Sequence, residues 1–166
     1  MYKKSQMWSL DLIAGITLFL IVVALYFIFV ANFSESEELD QLYSNAIFVS
    51  DTLMSAGLPE NWTASVVEEV GITNGEYRLN SSKITNLSSL DYANLKLLLK
   101  TRYDYLIFFE NRSGSVLSIS GIKYIGNPAL NKTNIKEIEN PDNLVSIKRF
   151  LFYKERIITM VLYLWQ

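Results

Sequence analysis

KKSQMWSLDLIAGITLFLIVVALYFIFV, residues 3–30, opens on two lysines, carries one acid at Asp11, and then has no charge until Glu35. From Leu12 to Phe33 that is about 22 uncharged residues, or ~33 Å of helix against a hydrocarbon core of about 30 Å. A discarded secretory signal has a shorter apolar stretch, ~7–15 residues, closed by small residues at its cut site. The best cut of that kind here, after Ala31, places bulky Phe29 three residues back. The stretch therefore reads as a membrane-spanning helix that is retained. Lys3 and Lys4 precede it, and Glu35, Glu37, Glu38 and Asp40 follow it. Positive flanks stay on the cytoplasmic side, which puts the amino terminus inside and the rest of the chain outside.

The composition narrows the function. The chain has 166 residues, half of them hydrophobic, and a formal charge of -2. This suits one modest domain plus the apolar segment, and it offers no basic face for nucleic acid. Cysteine and histidine are both absent. Disulfides, thiolate zinc sites, cysteine nucleophiles and histidine bases are excluded with them. The carboxylates Asp51, Glu68, Glu69 and Asp104 form no catalytic motif. The expectation is a protein without enzymatic activity, cofactor or metal.

Helical periodicity continues beyond the apolar run. Leu39, Leu42, Ala46, Val49, Leu53 and Ala56 recur at steps of three and four, the stripe of an amphipathic helix. Ser44, Asn45, Ser50, Asp51 and Ser55 fall mostly on other faces. Gly57 and Pro59 form a stop signal. One helix from about Ser9 to Ala56, ~70 Å long at 1.5 Å per residue, is expected. Ser9 is the expected N-cap, and Asp11 suits the positive helix end.

The order Lys3, Lys4, Ser5, Gln6, Met7, Trp8, Ser9, Leu10, Asp11, followed by an apolar helix, resembles the class III (prepilin-type) signal of archaeal type IV pilin-like proteins. The resemblance covers about 30 residues and is carried by Gln6, Ser9 and Asp11 placed between a basic leader and an apolar run. It implies that a prepilin peptidase removes only a short leader, cutting between Ser5 and Gln6 or between Gln6 and Met7. It implies that the apolar helix is kept and packs against copies of itself or other pilin-like subunits in a surface filament or pseudopilus. It also implies that Asp11, at mature position six or five, pairs with a neighbour's new terminal amine. The domains expected on this reading are a leader at 1–6, a long helix at 7–57 spanning the membrane at about 12–33, and an extracellular head at 58–166. The alternative is an uncleaved single-span protein whose outer domain binds a partner or ligand.

The head reads as α+β. Residues 58–80 are loop-rich with one or two short strands, punctuated by Pro59 and Asn74-Gly75, with Val66, Val67 and Val70 as core anchors. SSLDYANLKLLLKTR, residues 88–102, is a short helix with Ser89 as N-cap and Asp91 in its first turn. Apolar runs at 103–109 and 116–122 flank Asn111-Arg112-Ser113-Gly114 as a hairpin. Residues 145–152 and 157–165 form a second hairpin turning at 153–156. A four-stranded antiparallel sheet covered on one face by the helix stripe follows. Tyr105, Phe108, Phe109, Phe150, Phe152 and Trp165 read as core and strand residues.

Asn-x-Ser/Thr occurs at Asn32, Asn61, Asn80, Asn86, Asn111 and Asn131, all after the apolar run. All but Asn32, at the membrane edge, are expected in loops or segment ends. Together they suggest a glycan-coated exterior.

Overall fold

The computed structural model describes the backbone of residues 3–135 and 143–166, and the side chains of 11–30, 37–135 and 143–166. Two units divide the chain at Asp40, the second being Gln41–Gln166. Helix α1 runs Lys3–Met54. It starts before the expected position, so Ser9 lies inside the helix and is not its N-cap. The first unit is the part of α1 up to Asp40.

In the second unit, Leu42, Ala46, Val49 and Leu53 are buried, as their spacing demands. Leu39 is exposed, and Ala56 lies past the helix end. Ser50 joins the buried face, because its hydroxyl has work on both sides. It donates to the Ile47 carbonyl at 2.8 Å and accepts from Arg149 Nε at 3.1 Å. Arg149 also pairs with Asp51 at 2.6 Å.

The head contains α2 (Ser81–Ser89), α3 (Tyr92–Leu98) and strands β1 (Asp104–Glu110), β2 (Val116–Leu117), β3 (Tyr124–Gly126), β4 (Leu144–Tyr153) and β5 (Arg156–Trp165). The sheet is antiparallel, in the order β2-β1-β5-β4, with β3 also on β1. The fold is thus α+β, with five strands where the sequence suggests four. The second arm of the first hairpin is the reason. It pairs with β1 only at Val116 and Leu117, turns at Ile119–Ile122, and returns to β1 as β3. Gly126, at φ 128°, permits that return, since a Cβ there would lie 2.2 Å from the Tyr105 carbonyl oxygen.

Central β1 is buried on both faces. Tyr105, Ile107 and Phe109 join the α1 stripe in one core, and Leu106 and Phe108 pack with Ile135, Val161 and Trp165 in another. The single helix expected at 88–102 is two helices. Asn80 caps α2 by accepting from Ser82 and Lys83 N–H, and Asp91 caps α3 by accepting from Ala93 N–H. Ser89 ends α2 instead of starting a helix. Of the three valines, Val70 is buried, Val67 partly so, and Val66 is exposed.

The β4–β5 turn is tight. Lys154 and Glu155 both sit at positive φ, 47° and 62°, the primed turn that favours Asn-Gly. Replacing them with Asn and Gly is expected to stabilise the head by about 1 kcal/mol, because L side chains strain there. Urea unfolding of wild type and the double variant checks this.

Most of the carbonyls at the end of α1 are met from outside the helix. Ile72 N–H donates to Leu53 at 2.9 Å, Thr73 Oγ1 to Met54 at 2.9 Å, and Thr73 N–H to Ser55 at 3.1 Å. Lys83 Nζ donates to Ala56 and to the Thr73 carbonyl, each at 2.7 Å. These bonds satisfy the carbonyls of Leu53 and Met54 in the last turn of α1 and those of Ser55, Ala56 and Thr73 beyond it, which would otherwise be left without a donor. Trp62 closes the junction, buried and donating to the Gly71 carbonyl at 2.9 Å.

Candidate membrane and assembly segment

Asp11–Val30 is a 20-residue helical stretch with mean hydropathy 2.9 and none of it buried, long and apolar enough to cross a membrane. Every residue in it except Val23 is exposed. Moving each Leu, Ile or Phe of this stretch out of water gains about 1.5–3 kcal/mol, so the segment favours lipid or another apolar helix over solvent. The Thr17 hydroxyl is masked, since its Oγ1 donates to the Ile13 carbonyl at 2.8 Å. Open space surrounds Gly15, where a second helix could approach closely. Asp11 opens the segment and is exposed.

The side chains of Lys3, Lys4, Ser5, Gln6, Met7 and Ser9, and that of Asn32, lie outside the described residues. Their backbone belongs to α1.

The remaining sequons fall into two groups. Asn111 and Asn131 lie in turns where their own side-chain oxygens accept the N–H two residues on, Ser113 at 3.0 Å and Thr133 at 2.8 Å. Asn61 is exposed in a turn. The amides of Asn80 and Asn86 are engaged, donating to Asn74 Oδ1 at 2.7 Å and to the Trp62 carbonyl at 3.0 Å. Asn86 also lies inside α2, not in a loop. If the head is glycosylated, glycopeptide mass spectrometry is expected to find sugar at Asn61, Asn111 and Asn131, with Asn80 and Asn86 unoccupied. Occupancy at Asn86 in folded protein would overturn that division.

The polar cluster of the head is structural in character. Tyr92 OH and Lys96 Nζ each donate to Asp104 Oδ1 at 2.8 Å. Burial alone would raise the Asp104 pKa, but these two bonds outweigh it and hold the carboxyl below its ordinary value. Tyr105 stacks on Tyr92 with ring centroids 5.1 Å apart, and its buried hydroxyl has no partner among the described residues. Burial, then the nearby Tyr92, Asp91 and Asp104, push the Tyr105 pKa above 10.0. Burial and then the Asp104 hydrogen bond do the same for Tyr92. Both tyrosines favour the neutral form when folded, so their contribution is complete below pH 10.0 and is lost as pH rises past it. Unfolding free energy is therefore expected to fall between about pH 9 and pH 11, and to fall less in Tyr105→Phe.

Phe150 and Phe152 are not core residues, being 72% and 48% exposed. They stand on the side of β4 that α1 does not cover.

No family model matches this chain, and neither a characterised protein nor a solved structure does.

Proposed function

We propose that this protein is a type IV pilin-like structural subunit of an archaeal cell. It inserts with its amino terminus inside, loses its leader next to Gln6, and assembles through its apolar helix into a surface filament or pseudopilus. The observation that carries this reading is the character of α1. Its Asp11–Val30 stretch is exposed and apolar all round, while its end at Leu42–Leu53 is built into a folded head. A helix of that kind holds a head and offers its other half to lipid or to copies of itself. Asp11 then offsets a neighbour's terminal amine, an arrangement favoured where both charges leave water together. Prepilin peptidase, the membrane and other pilin-like subunits are the partners. The sequons suit a glycosylated head outside the cell.

The test is the amino-terminal mass of the mature protein isolated from membranes. Loss of Met1–Ser5 or Met1–Gln6 supports the reading and places Asp11 at position six or five. An intact terminus overturns it in favour of an uncleaved, single-span anchor carrying an outer binding domain.

A further inference from the structure

The face of the sheet opposite α1 is covered only in part. Leu106, Phe108, Val161 and Trp165 pack with Ile135. The end nearer the β4–β5 turn instead carries the exposed Phe150 and Ile157. A cleft of about 1520 Å³ opens there, between the turn after β1 and the β4–β5 turn. It exceeds the roughly 300–1,000 Å³ of a small-molecule pocket and suits a chain of several units. Four cations line it, Arg112, Lys148, Lys154 and Arg156. None of the four has an ion pair among the described residues. Of the two lining carboxylates, Glu110 is already paired with Lys132, which leaves only Glu155 against them. The whole chain has a net charge of -2, so positive charge is concentrated at this cleft. The complement of such a surface is an anion that also has apolar faces.

Asn111 lines the same cleft and heads the sequon Asn111-Arg112-Ser113. Its Oδ1 accepts from the N–H groups of Ser113 and Ser115 and from the Ser113 hydroxyl. Its Nδ2, the atom a sugar joins, is left free of the turn. We propose that the occupant of the cleft is an acidic oligosaccharide attached at Asn111, lying back over Phe150 and Ile157. Attachment joins Nδ2 to the anomeric carbon of a phosphate-activated glycan. It breaks that carbon's bond to the phosphate oxygen, and the amide proton leaves with the phosphate. The register sets the path. Glu110, Thr159 and Phe150 stand opposite one another on β1, β5 and β4. Phe150 is therefore two strand spacings, about 10 Å, from the strand that Asn111 follows. A short oligosaccharide crosses that distance. Its acidic groups meet Arg112 at the start and Lys148 and Arg156 beyond, and the C–H faces of its rings cover Phe150. Exposed charge pairs hold a free ligand weakly, but a tether at the rim raises its effective concentration without any new contact. The inference rests on the glycosylated outer head of the proposed function and on no feature of the apolar helix.

The experiment is hydroxyl-radical footprinting of the full-length protein, purified from its own membranes and kept monomeric in detergent, with glycopeptide mass spectrometry of the same sample. A glycan carrying acidic units is expected at Asn111. Oxidation of Phe150 is expected to be several-fold slower in wild type than in Ser113→Ala, which removes the sequon but keeps both backbone bonds to Asn111 Oδ1. Ser113→Thr retains the sequon and should restore the protection. Asn61→Gln removes a sequon elsewhere and should leave it in place. At about 1 M salt, where the screening length is ~3 Å, the protection should be lost. Phe108 is buried, and its slow oxidation in every variant shows an intact fold. The salt comparison needs only wild type, so it decides the matter even where a variant fails to fold. An unmodified Asn111, a neutral glycan there, equal Phe150 oxidation in wild type and folded Ser113→Ala, or protection that survives salt overturns the proposal. An unmodified Asn111 leaves the amino-terminal mass, and with it the filament reading, unaffected. An unprocessed terminus leaves this site unaffected.

Discussion

Trp62→Ala is expected to destabilise the head by about 3–5 kcal/mol, the range for deleting a large buried aromatic side chain. Three local facts place it at the upper end of single-residue effects. The ring is 1% exposed. Its indole N–H is the donor to the Gly71 carbonyl. The same ring lies against Gly57, where a Cβ would come within 2.6 Å of it. The loss therefore combines a cavity, an orphaned carbonyl and a loosened exit from α1. Urea unfolding of the detergent-solubilised chain, followed by near-ultraviolet circular dichroism, measures it. A loss under about 1 kcal/mol would mean that the junction closes without Trp62. Trp62→Phe separates the causes, because it keeps most of the volume and deletes only the donor.

On the proposed pilin-like assembly, Asp11→Asn is expected to leave membrane insertion and head stability unchanged and to reduce filament yield at least about ten-fold. Removing one partner of a desolvated ion pair costs about 3–5 kcal/mol, and each factor of ten in an equilibrium requires about 1.4 kcal/mol. Insertion is insensitive because the apolar stretch beyond Asp11 is unaltered. Asp11 belongs to the first unit and not to the head unit. Electron microscopy of sheared surface material, with immunoblots of membranes as the insertion control, reads both quantities. Normal filament yield would sink the role assigned to Asp11 and leave the helix as an anchor.

Much of this fold is legible in the chain because it rests on local rules. A run without charge from Leu12 to Phe33, a stripe at Leu42, Ala46, Val49 and Leu53, and two β-rich runs around Lys154-Glu155 each specify an element by their own periodicity. Asn-x-Ser/Thr and the order of Gln6, Ser9 and Asp11 are likewise patterns of neighbours. The α2 cap is a different case. Asn80 followed by Ser81 and Ser82 carries a capping signal, yet as a sequon it also reads as loop, and only the bonds to Ser82 and Lys83 distinguish the two.

What the sequence by itself determined is the apolar span, the amphipathic continuation of the helix, and the terminal hairpin, since each depends on residues a few positions apart. Tertiary structure alone decided the rest. Nothing in the sequence around Lys83 marks it, yet from α2 it reaches the Ala56 carbonyl just past the end of α1 and the Thr73 carbonyl. Ser50 reads as solvent-facing until Arg149 arrives from β4. Phe150 and Phe152 read as core until the sheet has only one face covered by α1 and they stand on the other. In each case the deciding partner is remote in the chain. No window of sequence contains both the unsatisfied group and the group that satisfies it.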